Sequence, residues 1–377
     1  MKSGVPKVAA RVGKGVLSLL RAGRPGGIYH SKLGDERALE PYRSLMDSLD
    51  ACRVRSEFFS TGGRDSPTVR IATEEFGARK GDVIVFIHGV FADRSMWRFV
   101  AGAMAPNHNL LLLDLPGCGE SDKPRASRGV RSMYSPEPLA RRVLETLREH
   151  LRSRHDAPRL RIVAHSLGGA IAIRMFASPT LREDFRDVLD RIDGMVLLAP
   201  LDVAVEKEHP TLTRLLSVSG TLIWSAKRLG TLRNQVASTL LANCGPGAAV
   251  LKREADHKMG VLTHRPSRKA MQAMLYLAVP RRRGRPVWSE IDPIVARYCQ
   301  VAPRTLIIWG EHDEVLPVSM GYKLAAQLPD ARLTTIPKGG HSLVLEQPAL
   351  IAKLAHEFFT AHRAAPSDEV TPDVVLT

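Results

Sequence analysis

The sequence predicts an α/β fold: a mostly parallel sheet with helices on both faces and a helical segment inserted between two parts of one core. Three observations carry that prediction. Near-continuous aliphatic runs alternate with helical stretches from about residue 50 to 200, the alternation stops near Pro200, and it resumes at Arg304–Trp309. Strands covered on both faces read as unbroken apolar runs, and strand–helix alternation implies parallel βαβ units.

The elements follow in order. Within residues 1–45, Lys7, Arg11, Lys14, Ser18 and Arg21 recur on one helical face, with Val8, Val12, Val16, Leu19 and Leu20 mostly away from it. Arg24-Pro25-Gly26-Gly27 ends that pattern. The functional reading is a helix lying on anionic lipid; the plain one is a helix packed on its own protein or a frayed terminus. Arg53–Phe59 and Val69–Phe76 read as an antiparallel entry to the sheet, and Val83–Ile87, Leu110–Asp114, Leu160–Ala164 and Met195–Ala199 as buried strands. Between them lie helices at Ser95–Ala105, with Ser95 as N-cap, Pro136–Arg152 and Leu167–Ala177. Residues 201–300 are helical in composition and rich in Leu, Met and Arg, as expected of a cap. Strands at Arg304–Trp309 and Arg332–Ile336 and helices near Ser319–Gln327 and Pro348–His362 complete the core. The expected organisation is a basic extension (1–45), a core in two parts (46–200 and 301–363), a helical cap (201–300) and a polar tail (364–377).

Composition bounds the function. The 377 residues are 44% hydrophobic and 25% charged, which excludes disordered, collagen-like and coiled-coil chains. No apolar run approaches the ~18 residues that span a bilayer. Cys52, Cys118, Cys244 and Cys299 include no CxxC pair, so neither a disulfide framework nor a zinc module is expected, and a reducing, cytoplasmic setting fits. The apolar stretch Val16–Leu20 is short and no A-x-A site follows, which argues against a secretory signal. The net charge of +15 resides in residues 1–30 and 201–300, so the rest of the chain is neutral. Two basic appendages without a reading motif point to an anionic membrane surface as partner, not to nucleic acid.

The chemistry concentrates in Val163-Ala164-His165-Ser166-Leu167-Gly168-Gly169, between a buried strand and a small-residue helix. A serine on so tight a turn is pushed out of the sheet, and the residues two before and two after it must be small; Ala164 and Gly168 are. Serine needs a base and an orienting group. Asp313 follows the strand Arg304–Trp309, and His341 follows Arg332–Ile336 on the glycine-flanked loop Pro337-Lys338-Gly339-Gly340, giving the chain order Ser, Asp, His. All three then reach the carboxyl ends of the strands, where ligands of open α/β sheets bind. For an oxyanion, the Leu167 N–H is one expected donor and the Val90 N–H, beyond His88-Gly89, the other, with Phe91 as its alternative.

His88-Gly89-Val90, the run Asp114-Leu115-Pro116-Gly117-Cys118-Gly119-Glu120-Ser121-Asp122-Lys123-Pro124, Ala164–Gly169, Gly310-Glu311-His312-Asp313 and Gly340-His341 stand in one order along the chain. In these motifs the chain resembles the α/β-hydrolase superfamily, specifically its capped serine hydrolase and esterase–lipase branch. The resemblance implies an eight-stranded sheet, a Ser166–His341–Asp313 triad and a mechanism with neither cofactor nor metal. Branches acting on epoxides or haloalkanes place aspartate at the nucleophile position, and the serine here argues against both. The expectation is cleavage of a carboxylic ester or thioester with an apolar acyl group, from a small-molecule or lipid substrate. Acyl transfer to an alcohol or amine, cofactor-free perhydrolysis and a non-catalytic binding module are the alternatives.

Plainer readings accompany the remaining residues. Glu311 and Glu314 neighbour Asp313, and Asp202, just beyond the strand ending at Ala199, is a further candidate acid. His165 is expected to point away from the site and be structural, His88 to support the oxyanion loop with Gly89, and Asp114 to fix loop geometry. Cys118 has no base partner. Glu74-Glu75 reads as solvent decoration, because adjacent strand residues point to opposite faces. Trp224, Met271, Met274, Leu275, Leu277 and Trp288 offer apolar material for the cap; the plain reading is cap core, and the functional one is that part of it lines an acyl pocket. Arg281-Arg282-Arg283-Gly284-Arg285 reads as a solvated run, ahead of a headgroup patch or a phosphate clamp.

Overall fold

Apolar residues at every second strand position feed two separate cores, one on each side of a single sheet. Val83, Val85, Ile87, Ile162, Ala164, Met195 and Leu197 enter one core; Ile84, Phe86, Val163, Val196 and Leu198 enter the other. The computed structural model describes residues 28–35, 40–63, 66–125, 131–205, 228, 230–283 and 285–361. The basic face at Lys7–Arg21, the tail and Trp224 lie outside these residues.

The strands are β1 (Arg53–Gly63), β2 (Ser66–Phe76), β3 (Val83–Ile87), β4 (Asn109–Leu113), β5 (Leu160–His165), β6 (Ile192–Leu198), β7 (Arg304–Gly310) and β8 (Ala331–Ile336). They form one eight-stranded sheet in the order β1-β2-β4-β3-β5-β6-β7-β8. The β1–β2 and β2–β4 pairs are antiparallel and the others parallel. Ile87 pairs with both Leu113 and Ala164, so β3, β4 and β5 end level. The loops that follow them emerge side by side.

The main helices are α1 (Ile28–Lys32), α2 (Glu40–Ala51), α3 (Arg98–Met104), α4 (Pro136–Arg152), α5 (Leu167–Ala177), α6 (Leu232–Ala242), α7 (Lys252–Thr263), α8 (Arg265–Leu277), α9 (Trp288–Val295), α10 (Ser319–Gln327) and α11 (Pro348–Thr360). Helix α4 begins where Pro136, whose missing N–H is no loss there, follows an extended Ser135. Helix α5 is buried almost all round, as its near-absence of polar residues requires. The expected helix at Ser95–Ala105 begins differently. Asp93 is the cap, accepting from the Ser95 N–H at 3.0 Å and the Ser95 hydroxyl at 2.6 Å, and a 3-10 turn at Arg94–Trp97 precedes α3. Asp93 takes the role expected of Ser95 because its backbone is the extended one, φ −144° and ψ −175°, from which a side-chain oxygen reaches the N–H two residues on.

Helix α2 spans the expected boundary at residue 45 and packs on α3, where the Leu45 carbonyl lies against Gly102. The segment before it docks elsewhere. The Tyr29 hydroxyl donates to Asp256 on α7 at 2.7 Å, and Gly34 exchanges 2.9 Å backbone bonds with Val250 and Lys252. Helices α6 to α9 follow β6 and precede β7, and α8 brings Ala270 against the Gly117 turn.

Candidate active site

Ser166 occupies the turn between β5 and α5 with φ 51° and ψ −116°. A non-glycine residue there is strained, and such strain persists only where neighbours enforce it. Here the Ser166 N–H donates to Leu198 O and the Leu201 N–H to Ser166 O, each at 2.9 Å, tying the turn to β6. The glycines are dictated by close approach. A Cβ on Gly168 would lie 2.4 Å from Ile87 O, and one on Gly89 would lie 3.2 Å from Ser166 Cβ. The loop after β3 thus passes against the serine itself.

His341 follows β8 on its loop, with its N–H donating to Asn243 O at 2.8 Å. Its Nδ1 lies 2.7 Å from Asp313 Oδ2, while Asp313 Oδ1 accepts from the Val315 and Leu316 N–H groups, each at 2.8 Å. The carboxylate is thereby fixed by three bonds and can hold one imidazole orientation. Asp202 lies elsewhere: its Oδ1 accepts from the Tyr298 hydroxyl at 2.9 Å and the Ala204 N–H at 2.9 Å. Ser166 and His341 line one pocket together with Val90, Phe91 and Leu167. Among the described residues the Ser166 hydroxyl carries no hydrogen bond, as is common before substrate tightens such contacts. Leu167 opens α5, so its N–H has no acceptor within the helix. Phe91 has a φ of 56°, a second strained point on the pocket wall.

Two buried histidines brace this arrangement. His88 Nδ1 donates to Gly89 O at 2.7 Å and its Nε2 accepts from the Leu115 N–H at 3.0 Å, joining the β3 and β4 loops. Burial lowers its pKa, so the neutral ring that this pairing requires is also the favoured one. His165 departs from expectation. Its ring does not point away but lies 4.8 Å from that of His341, and its Nε2 donates to His341 O at 2.9 Å. Burial, then the neighbouring His341, pushes its pKa down to about 3, so it is a neutral prop at neutral pH.

Asp114 is fully buried and accepts from the Arg94 N–H and side chain and from the Glu120 N–H, fixing loop geometry. Burial raises the pKa of Cys118 well above the usual thiol value, which removes it as a nucleophile. The reading of Glu74-Glu75 as solvent decoration is corrected. Glu75 is 1% exposed and meets Arg55 at 2.8 Å and Arg154 at 3.5 Å, while Glu74 meets Arg53 at 2.6 Å. Over Ile71–Phe76 both faces of β2 are covered, so alternation alone could not leave either carboxylate in water. Glu57, Glu75 and His150 could offer metal ligands within 4.8 Å of one another. Arg55, Arg79 and Arg154 ion-pair with those carboxylates, so cation binding there would meet existing positive charge. Of the apolar face on α8, Leu275 lines the pocket while Met271 and Met274 are packed in the core. Arg281–Arg282 and Arg285–Pro286 form a two-residue antiparallel ladder, with Arg282 3.9 Å from Glu290.

The sequence reading missed one wall of the pocket. Asp93 from the β3 loop and Glu254, His257 and Lys258 from α7 all line it. The spacing of 254, 257 and 258 places them on one helix face, but nothing in the sequence tells which face meets the serine.

Comparison with known proteins agrees with this architecture. Residues 82–348 match the family described as alpha/beta hydrolase fold. An uncharacterized hydrolase, YugF, of Bacillus subtilis is 24% identical over 334 residues, covering 85% of this chain and 98% of its own. The crystal structure of a serine hydrolase involved in carbazole degradation superposes with a TM-score of 0.60 at 19% identity, covering 82% of this chain and 99% of that one. A membrane phospholipase A described as a bacterial virulence factor gives 0.58 at 18% identity, covering 93% and 95%.

Proposed function

The chain belongs to the α/β-hydrolase fold family, and from that premise we propose that it is a serine hydrolase cleaving a carboxylic ester or thioester with an apolar acyl group. The observation that carries the reading is one constellation: a strained serine at a strand-to-helix turn, sharing a pocket with a histidine whose Nδ1 is held by a buried carboxylate. Ser166 attacks the carbonyl carbon as His341 Nε2 takes its proton. Asp313 keeps the tautomer that leaves Nε2 free and stabilises the imidazolium. The Leu167 and Val90 N–H groups receive the tetrahedral oxyanion. His341 then protonates the leaving alcohol or thiol, and water repeats the sequence on the acyl-enzyme. Val90, Met96, Leu201, Leu275, Val344 and Leu345 supply apolar wall for the acyl group, and helices α6 to α9 act as the cap over it.

Labelling with a fluorophosphonate probe, read by intact mass and peptide mapping, tests the reading. One adduct on Ser166 is expected, and ester turnover should fall on the order of 10⁶-fold in Ser166→Ala. A Ser166→Ala protein with unchanged esterase rates would refute it.

The likeness to a membrane phospholipase A and the basic residues 1–27 support work at an anionic lipid surface. Among the described residues no helix is long and apolar enough to cross a membrane. Removing residues 1–27 should weaken sedimentation with anionic vesicles while soluble-ester hydrolysis persists. Equal sedimentation of both forms would exclude the attachment.

A further inference from the structure

The pocket around Ser166 is apolar on most sides but not on the side of α7. Helix α7 contributes Glu254, His257 and Lys258, and the β3 loop contributes Asp93. Most of these charges are matched. The Arg98 guanidinium donates to Glu254, and His257 Nε2 lies 3.1 Å from Asp93 Oδ2. Among the described residues Lys258 is the charge left over. It is half-buried and lines the pocket, yet among the described residues it has no ion-pair or hydrogen-bond partner. Loss of water around the amine lowers its pKa, opposed by the nearby Glu254 and Cys244. Its charge is felt by His257 and by His165. Lys258 thus lines the same pocket as Ser166 and His341.

A cation that has lost hydration without gaining a counter-ion is poorly placed unless something else supplies the negative charge. We propose that Lys258 receives a carboxylate carried by the substrate. The preferred ester then has one acidic group on the part that lies against α7, with its apolar portion on the remaining walls. The charge count favours a carboxylate over a phosphate. One unmatched cation balances one negative charge, and a dianion would leave an excess beside Glu254 and Asp93. The inference rests on the serine-hydrolase reading above and deepens it.

Paired esters that differ only in the acidic group provide the test. On the acyl side the pair is mono-4-nitrophenyl adipate and 4-nitrophenyl hexanoate. On the alcohol side it is 4-(carboxymethyl)phenyl butyrate and 4-ethylphenyl butyrate, with spontaneous hydrolysis subtracted in each case. In the wild-type enzyme one pair should show kcat/KM higher for the acidic member by on the order of tenfold or more. That ratio should fall at least tenfold in Lys258→Met, and likewise in Lys258→Gln if the methionine variant does not fold. A wild-type enzyme indifferent to the carboxylate in both pairs, or a ratio that survives both substitutions, overturns the inference. Preference for a phosphonomethyl ester over its carboxymethyl counterpart overturns the assignment to a carboxylate. Turnover of neutral esters without acid preference defeats this inference alone. No turnover of any ester together with no labelling of Ser166 defeats the hydrolase reading and this inference with it.

Discussion

Ser166 offers a test in which two small substitutions should rank in the reverse of their usual order. At an ordinary position in a helix or strand, glycine is less stable than alanine by roughly 0.5–1 kcal/mol, because it loses more chain entropy on folding. At φ 51° and ψ −116° an alanine keeps the strain of the native serine, a cost of roughly 1–3 kcal/mol, whereas glycine has none. Alanine's buried methyl returns about 0.8 kcal/mol at most. Set against a strain of about 2 kcal/mol, a chain-entropy cost of about 0.75 and the methyl's contribution of about 0.8 leave Ser166→Gly favoured over Ser166→Ala by roughly 0.5 kcal/mol. Both variants lack the hydroxyl, so the comparison is of stability alone. Urea unfolding of the two, followed by far-ultraviolet circular dichroism, reads the difference as a shift in midpoint at constant slope. Ala170→Gly, within α5, is the control and should be destabilised. If Ser166→Ala proved as stable as Ser166→Gly, the turn would not be holding the serine under strain, and the argument from its geometry would fail.

Other expectations follow from single contacts. Asp313→Asn should preserve the loop, since an amide oxygen can still accept from Val315 and Leu316, yet lower kcat on the order of 10³–10⁴-fold by disturbing the imidazole tautomer. Loss of less than tenfold in steady-state assays would remove Asp313 from that role. Gly168→Ala places a Cβ 2.4 Å from Ile87 O and 2.8 Å from His88 O, neither of which can rotate away. Thermal unfolding should show destabilisation of roughly 1–3 kcal/mol, and an unchanged Tm would contradict the close approach. The His257–Asp93 pair should make stability depend on pH. The Asp93 carboxylate 3.1 Å away raises the His257 pKa, so this contribution is complete below the unfolded histidine value of about 6.5 and is lost as pH rises through the higher folded value. Burial alone would raise the Asp93 pKa, but the nearby His257 and bonds from Ser95 leave it lowered, so its share is present above about 4 and lost as pH falls further. Urea midpoints of wild type and His257→Gln should therefore differ most near pH 5–6 and converge as pH rises through the raised folded value; a gap independent of pH would rule out the ion pair.

Much of the core was legible because its signals are local. Buried strands announce themselves as aliphatic runs, and the expected helices at Pro136–Arg152, Leu167–Ala177 and Ser319–Gln327 match the observed spans. The small residues flanking Ser166 were legible for a similar reason, since a tight turn constrains its own neighbours. The start of α3 was not, because Asp93 and Ser95 are both good caps and only backbone geometry chooses between them. Glu75 could not be placed either, because its burial depends on Arg55 and Arg154, which lie 20 and 79 residues away.

Sequence alone determined the order of elements, the place of the serine turn and the types of residue able to serve it. Tertiary structure decided which carboxylate faces His341, because Asp202 and Asp313 both follow strands and only the packing of their loops separates them. It also decided that His165 braces His341 and that α7 turns Glu254, His257 and Lys258 toward the pocket. A helix periodicity fixes which residues share a face. What that face meets is set by where the chain returns, through contacts that no local pattern encodes.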